Sequence, residues 1–442
     1  AVATNAGGVT QRFVAADDIR ADWWAMFASP KLDAWMRDTL AASPTLAQAR
    51  AALVRASEER SAAADAATWP SANLRAGIER QRIDPAARGC PQAPNPGPFT
   101  LYNVGVDVSY TFDVFGGTRR QLEGLAADVD YQRFELEAAQ RMLAANVVTT
   151  ALRQASLAAQ IDTLERIVAS QRAALAIAGQ RFGLGAIPEV ELANQRALVA
   201  QSAARLPPLR GEMARTVHRL AIYAGREPSQ ADAPSFTLAD FTLPPDVPLT
   251  LPSQLAERRP DIRASEALLR RASADVGVAT ANLYPKFSFA GNASSTHGTL
   301  HEIGDGINIW SIGLDLVQPL LRGPELQARK RASIAAFDAA KAAYRDSVLH
   351  ALQNVADAIR ALEADAQTLA ARSDQAAAAT RASDITRQRY DLGGVSQLAL
   401  LDAERTRLES ALARDEAMAA RYADTAALLD ALGGRWWEIT IE

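Results

Sequence analysis

The chain has 442 residues, 48% of them hydrophobic, which is enough for two or three ordinary domains with filled cores and excludes a disordered polymer. Its 47 basic and 51 acidic side chains are interspersed and leave a net charge of −4, so there is neither a basic footprint for nucleic acid nor an acidic tail. A lone cysteine, Cys90 in "ARGCPQAPNPGPF", excludes an intrachain disulfide and a thiolate metal cluster, and no apolar run reaches the ~18 residues of a spanning helix.

The first element in chain order is a helix from Ser43 to Thr68, with Pro44 suited to a first helical turn and Trp69-Pro70 as its stop. Past that proline the hydrophobic period falls to two. Val104, Val106, Val108, Tyr110 and Phe112 alternate with Gly105, Asp107, Ser109 and Thr111, which marks a strand with one apolar face. Leu74, Ala76 and Ile78 predict its partner across a loop rich in Pro, Gly and Asn. "FGGTRRQLEG" then opens a helix expected from Arg119 to Phe182, roughly 96 Å at ~1.5 Å per residue and too long for a compact domain. Along it Leu157, Ile161, Leu164, Val168, Leu175 and Phe182 step by three and four, with Gln171 and Ala178 filling the series, and predict left-handed coiled-coil packing. "GQRFGLGAIPEVELANQR", from Gly179 to Arg196, ends the helix. Gly183 and Gly185 supply open backbone for a reversal, and Pro188 fits the first turn of a returning helix.

The same order then repeats, so an internal two-fold repeat organises the chain. "RRPDIRASEALLRRASADVGVATANLYPKF" is a second helix, opened by Pro260 and closed by Pro285. Phe287 and Phe289 predict one strand, and Trp310, Ile312, Leu314 and Leu316, alternating with Ser311, Gly313 and Asp315, predict its partner beyond "SSTHGTLHEIGDG". "LLRGPELQAR" opens a helix from Pro324 to Tyr390 in which Val348, Leu352, Val355, Ile359, Leu362, Ala366 and Leu369 keep the heptad-like step. In "RQRYDLGGVSQLALLDAER", from Arg387 to Arg405, Gly393 and Gly394 make the second reversal, with Arg389 matching Arg181.

Four amphipathic strands per chain would leave sheet edges and an apolar face with nothing to bury against, and closure across chains removes both problems. Two chains would supply about eight strands, a barrel filled by its own side chains, whereas three would supply about twelve and leave a lumen. Gly105, Ser109, Ser311 and Gly313 are small enough to line a wet interior. The expectation is a homotrimer whose strands span an outer membrane and whose helices extend as a tube into the periplasm.

At "DWWAMFASPKLDAWM", "YTFDVFGGTRR", "RPDIRASEALLRRASADVGVATANLYP", the paired helix reversals and "LLDALGGRWWE", the chain strongly resembles the TolC-like outer-membrane factor family, particularly its efflux-associated lipoprotein branch. The resemblance covers nearly the whole sequence. It implies a mainly α fold with β, a homotrimer forming a 12-stranded transmembrane β-barrel continuous with a long periplasmic α-helical coiled-coil barrel and an equatorial domain, without cofactor. It divides the chain into an N-terminal equatorial segment (1–42), the helix of the first repeat (43–69) and the first β-hairpin (70–115). A long helix with its reversal near 183–188 and return helix (116–225) and an equatorial linker (226–252) follow. The second repeat comprises a helix (253–284), a hairpin (285–320) and a long helix with its reversal near 391–396 and return helix (321–432), before a C-terminal equatorial segment (433–442). The partners implied are a periplasmic adaptor (membrane fusion) protein, an inner-membrane transporter of RND type and the outer-membrane lipid of a Gram-negative bacterium, with no nucleic acid. Such relatives start with a lipid-bearing cysteine, whereas this sequence begins at Ala1 without a charged-then-apolar leader pattern; a removed leader and an N-terminal lipid anchor not present in this chain are the matching expectations.

Leu398, Asp402 and Arg405 stand four and three residues apart and share one helical face just past the second reversal. In similar family members the matching leucine and aspartate positions form a periplasmic constriction. Threefold symmetry would make each position a ring: Asp402 carboxylates titrating as a coupled set, Arg405 offsetting their charge, and Leu398 resisting wetting. Glu191 and Tyr390 form a second candidate lock, because family members carry a carboxylate and a tyrosine there that hydrogen-bond between neighbouring coils. Ala399 stands where some relatives have another carboxylate and Val395 where some have arginine, so one acidic ring is missing. The reversals themselves, around Phe182, Gly183, Gly185 and Pro188 and around Gly393 and Gly394, are the expected adaptor-docking surface. The plain alternative for the trio is a core contact with solvated neighbours, and for Glu191 and Tyr390 a solvated acid and a packed aromatic.

His297, His301 and Glu302 lack the HExxH order of a metalloprotease and read as an exposed hairpin loop. Cys90 reads as a loop thiol, and Trp23, Trp24, Trp436 and Trp437 as packing or interfacial anchors. The expected function is an outer-membrane exit duct of a tripartite efflux pump, passively conducting small toxic compounds or drugs through a gate opened by adaptor docking. The channel of a type I polypeptide secretion system is the alternative within this class, and a soluble coiled-coil scaffold the alternative outside it. A scaffold leaves the alternating hairpins unexplained, and no convergent polar constellation speaks for an enzyme.

Overall fold

The computed structural model describes residues 4–6, 9–15, 22–82, 97–230, 232–249 and 258–433. Short strands β1 (Thr4–Ala6) and β2 (Val9–Ala15) and a 3-10 turn, Trp23–Phe27, precede helices α1 (Pro30–Ala42) and α2 (Pro44–Thr68). Strands β3 (Ser71–Arg82) and β4 (Pro98–Phe112) lead into the long α3 (Gly117–Gly183), which is followed by α4 (Glu189–Ala203), α5 (Leu206–Tyr223) and β5 (Asp246–Leu249). Then come α6 (Pro260–Ala281), β6 (Lys286–His297), β7 (Ile309–Val317), α7 (Gly323–Asp391) and α8 (Gln397–Leu432). Cys90, Trp436 and Trp437 lie outside the described residues.

The chain forms two compact units, one of Ala52–Gln132 and Ser265–Tyr344, the other of Ala1–Ala51, Arg133–Ala264 and Arg345–Glu442. The first unit holds a four-stranded antiparallel sheet in the order β3-β4-β6-β7. Each predicted hairpin is present, and β4 pairs with β6 to join them, with Tyr110 opposite Phe289 and Phe289 opposite Leu314. Because side chains alternate across a strand, this register puts Leu74, Ile78, Val106, Phe289, Ile312 and Leu314 on one face, and Asn73, Asp107, Asn292 and Ser311 on the other. On the polar face Asp107 accepts from Asn292 Nδ2 at 2.7 Å and pairs with Arg75 at 3.1 Å. The turn into α3 is fixed by Asp113, whose carboxylate accepts from the Thr118 and Arg119 amides at 3.0 and 2.8 Å, and by Gly116 at φ 75°. Helix α6 lies close along α3. A Cβ on Gly277 would come within 2.7 Å of Arg120 Cγ, and Arg270 pairs with Asp130 at 3.1 Å.

The second unit has its core around the 3-10 turn. Trp23, Phe27, Leu32 and Met36 pack with Val147 and Leu152 of α3, Leu220 of α5, Phe236, Phe241, and Tyr422 and Leu429 of α8. Tyr422 Oη donates to the Phe241 carbonyl at 2.9 Å, so this aromatic cluster leaves its one hydroxyl satisfied. Beside it β2 pairs parallel with β5 and antiparallel with β1. The buried Arg421 donates to Gln11 Oε1 at 2.8 Å, tying α8 to β2.

Three features differ from the sequence reading. The return after the first reversal is two helices, α4 and α5, interrupted at Ala204 and Arg205 ahead of Pro207-Pro208, where the missing amide hydrogens and ring clashes disfavour a continuous helix. The three-stranded β1-β2-β5 sheet has no counterpart among the expected elements. In the heptad series of α3, Leu157, Leu164, Val168, Gln171 and Ala178 are buried, but in α7 only Leu362, Ala366 and Leu369 are, while Leu352 is exposed and Ala351 and Ala358 take the inward positions.

Candidate functional site

Both reversals are built by one backbone device. In the first, the Gly185 amide donates to the Phe182 carbonyl at 2.8 Å and the Ala186 amide to the Arg181 carbonyl at 2.8 Å. In the second, the Gly393 amide donates to the Tyr390 carbonyl at 2.8 Å and the Gly394 amide to the Arg389 carbonyl at 2.7 Å. This is a Schellman cap, which requires a left-handed residue, and Gly185 at φ 69° and Gly393 at φ 77° supply it. Gly183 and Gly394 do not share that role: Gly183 is the last helical residue of α3, and neither has positive φ. Pro188 precedes α4 as its N-cap, while at the corresponding start of α8 Ser396 Oγ accepts from the Ala399 amide at 3.2 Å. The caps leave Leu184 and Leu392 at equivalent tip positions, 84% and 87% exposed.

The two tips are packed differently inside. Ala178, Ile187 and Leu192 form a buried apolar cluster with Leu175 at the first, and Phe182 is exposed. At the second the joint is ionic. Glu404 of α8 accepts from Arg407 Nη2 and Nε at 2.5 and 3.0 Å and from the buried Ser383 Oγ of α7 at 3.1 Å, with Arg387 of α7 3.8 Å away. Pairing with Arg407 outweighs partial burial and holds the Glu404 carboxyl below its ordinary range.

Of the sequence-predicted gate residues, Leu398 is half-buried, Asp402 exposed and Arg405 half-buried on α8. Arg405 Nη2 donates to Asp402 at 2.7 Å and Nη1 to Glu409 at 3.0 Å, and the Asp402 bond is the main cause that raises the guanidinium above its usual value. One arginine thus bridges two carboxylates along a single helix face. Glu409, Glu404, Arg407 and Ser383 were missed in the sequence, although Glu404/Arg407 and Arg405/Glu409 stand at the i,i+3 and i,i+4 spacings that signal helix pairs. Glu191 and Tyr390 are each half-buried, and no hydrogen bond brings them together among the described residues. His297 ends β6 with Nε2 3.4 Å from Asn308 Nδ2, and His301 starts the 3-10 turn His301–Asp305.

No helix among the described residues is long and apolar enough to cross a membrane. The apolar surface lies on the sheet: Leu74, Ile78, Trp310, Ile312 and Leu314 are each between 72% and 77% exposed. A continuous apolar face of this kind on one side of a sheet, with Asp107, Asn292 and Ser311 on the other, is the pattern of a barrel wall between lipid and water.

The chain belongs to the outer membrane efflux protein family, which it matches over residues 35–226 and 251–434. It is 29% identical over 431 residues to the pyoverdine export outer membrane protein OpmQ of Pseudomonas aeruginosa, covering 95% of this chain and 88% of that one. Over 340 residues it is 28% identical to the toluene efflux pump outer membrane protein TtgI of Pseudomonas putida, covering 76% and 71%. Among solved structures it superposes on the outer-membrane channel OprN with a TM-score of 0.84 at 28% identity, over 95% of this chain and 94% of that one. The open state of the Neisseria gonorrhoeae MtrE outer membrane channel gives 0.82 at 24% identity, over 98% and 96%. The fold is that of the TolC-like outer membrane channels, and the protein is a transport component of the outer membrane.

Proposed function

We propose that three copies of this chain close into one exit duct of a tripartite efflux pump, which passes small toxic compounds from periplasm to exterior without chemistry of its own. The observation that carries the reading is the four-stranded sheet itself: β3 and β7 are unpaired edges, and its apolar face is exposed in the single chain. Joining edges among three chains pairs the backbone groups, turns that face to lipid and surrounds the Asp107 side with water. Relatives named for pyoverdine export and toluene efflux favour small organic cargo over polypeptides. In this reading Leu184 and Leu392 are apolar knobs at the tips, offered with Phe182 to a periplasmic adaptor that in turn engages an inner-membrane transporter of RND type.

Leu398, Asp402 and Arg405 form the constriction, and opening it requires the α7–α8 pair to splay. Arg405 neutralises Asp402 within each chain, so the closed ring is less self-repelling than bare carboxylates would be. Single-channel conductance tests the assignment. Leu398→Ala combined with Asp402→Ala is expected to raise the conductance of the resting channel severalfold, and unchanged conductance in both single variants and the double variant would refute the gate.

A further inference from the structure

The apolar face of the sheet has a charged end. On β3 the residues of this face are Ala72, Leu74, Ala76, Ile78, Arg80 and Arg82, and register places Ile78 opposite Tyr102, Arg80 opposite Thr100 and Arg82 opposite Pro98. Among the described strand residues of this face, Arg80 and Arg82 alone carry a formal charge. Both are exposed and neither has an ion pair among the described residues. They sit at the end of β3 away from α2, the end that faces outward if the chain is the duct proposed above, on which this inference rests.

The position can be scaled. From Phe112 to Tyr102 the β4 residues of this face are all apolar or aromatic, over about 33 Å of strand at ~3.3 Å per residue. At the ~40° tilt of transmembrane barrel strands this spans about 25 Å of membrane normal, the height of a barrel's apolar band. Tyr102 then lies at the interface, and Arg80 and Arg82, the next residues of this face beyond Ile78, lie at the level of the lipid headgroups. Two guanidinium groups on one face two residues apart, with the Thr100 hydroxyl side chain across from the first, match a phosphate in charge and donor geometry, and guanidinium is weakly enough hydrated to exchange water for it.

We infer that Arg80 and Arg82 form a binding site on each protomer for the phosphate groups of outer-leaflet lipid headgroups. The probe is diphosphoryl lipid A against the same lipid A dephosphorylated, each incorporated with the full-length trimer in nanodiscs and read by native mass spectrometry of retained lipid. The native protein is expected to retain the phosphorylated form about tenfold better, a preference that R80Q/R82Q abolishes while conductance and trimer mass stay unchanged. R80K/R82K should restore part of the preference, since charge returns without the planar fork. Equal retention of both lipids by the native protein, or an undiminished preference in R80Q/R82Q, overturns the site. A protein that conducts yet shows no preference refutes the lipid site alone, whereas one that neither enters lipid nor conducts refutes the duct reading.

Discussion

Glu404 shows how a single side chain can decide what a helix pair tolerates. Its carboxylate spans the α7–α8 joint, held by Arg407 on its own helix and by Ser383 across the gap, whereas the buried cluster beside the first reversal is apolar, with Ala178 and Leu192. An apolar joint does not respond to pH; this one does. The folded carboxyl titrates below its unfolded value of 4.5, so its stabilisation is complete above that value and is lost as pH falls through the lower folded value. Arg407, whose guanidinium the Glu404 bond raises above its usual value, stays charged throughout, so the change belongs to the carboxylate. Glu404→Gln should therefore melt below the native protein at pH 7.5, and the difference in Tm should shrink steadily below about pH 4. A difference that is constant across that range would mean that Glu404 contributes by shape and not by charge.

At the scale of elements, β7 separates the two environments most cleanly, because Ile312 and Ser311 are adjacent in sequence and lie on opposite faces. Ile312→Arg should cost about 2–4 kcal/mol of insertion stability near the middle of a bilayer, while Ser311→Arg should insert normally and narrow the lumen. Heat-modifiable mobility from membrane fractions reads the first and conductance the second; equal tolerance of both would contradict the facing. These strands were legible in the sequence because period-two alternation runs through Val104–Phe112 and Trp310–Leu316 for long enough to be distinctive. The β1-β2-β5 sheet was not, since β1 and β5 have 3 and 4 residues and the β2–β5 pairing joins segments more than two hundred positions apart. The reversals were visible as glycine clusters, but which glycine takes positive φ depends on hydrogen-bond register, and only Gly185 and Gly393 satisfy it. For the Glu404 joint the helical spacing to Arg407 could be read, whereas the approach of Ser383 required the packing of α7 against α8.

For the whole molecule the decisive matter is what completes the sheet. In one chain the edge strands β3 and β7 are separated by β4 and β6, about 14 Å at ~4.8 Å per strand interval, twice the ~7 Å that two Cα atoms can span in a disulfide. A disulfide between the edges must therefore join different chains. In the proposed ring the contact is also heterologous, β3 of one chain against β7 of the next, so a cysteine on either edge alone would have no symmetric mate there. With Cys90 replaced by Ser, Ala76→Cys paired in turn with Ile312→Cys, Leu314→Cys and Leu316→Cys should give dimer and trimer bands on a non-reducing gel for the partner in register, while each single variant stays monomeric. Ring closure at three stops the ladder, because a third bond returns to the first chain and leaves no free edge. Bands continuing beyond trimer would indicate an open assembly, and monomer alone for every pairing would show that these edges never meet.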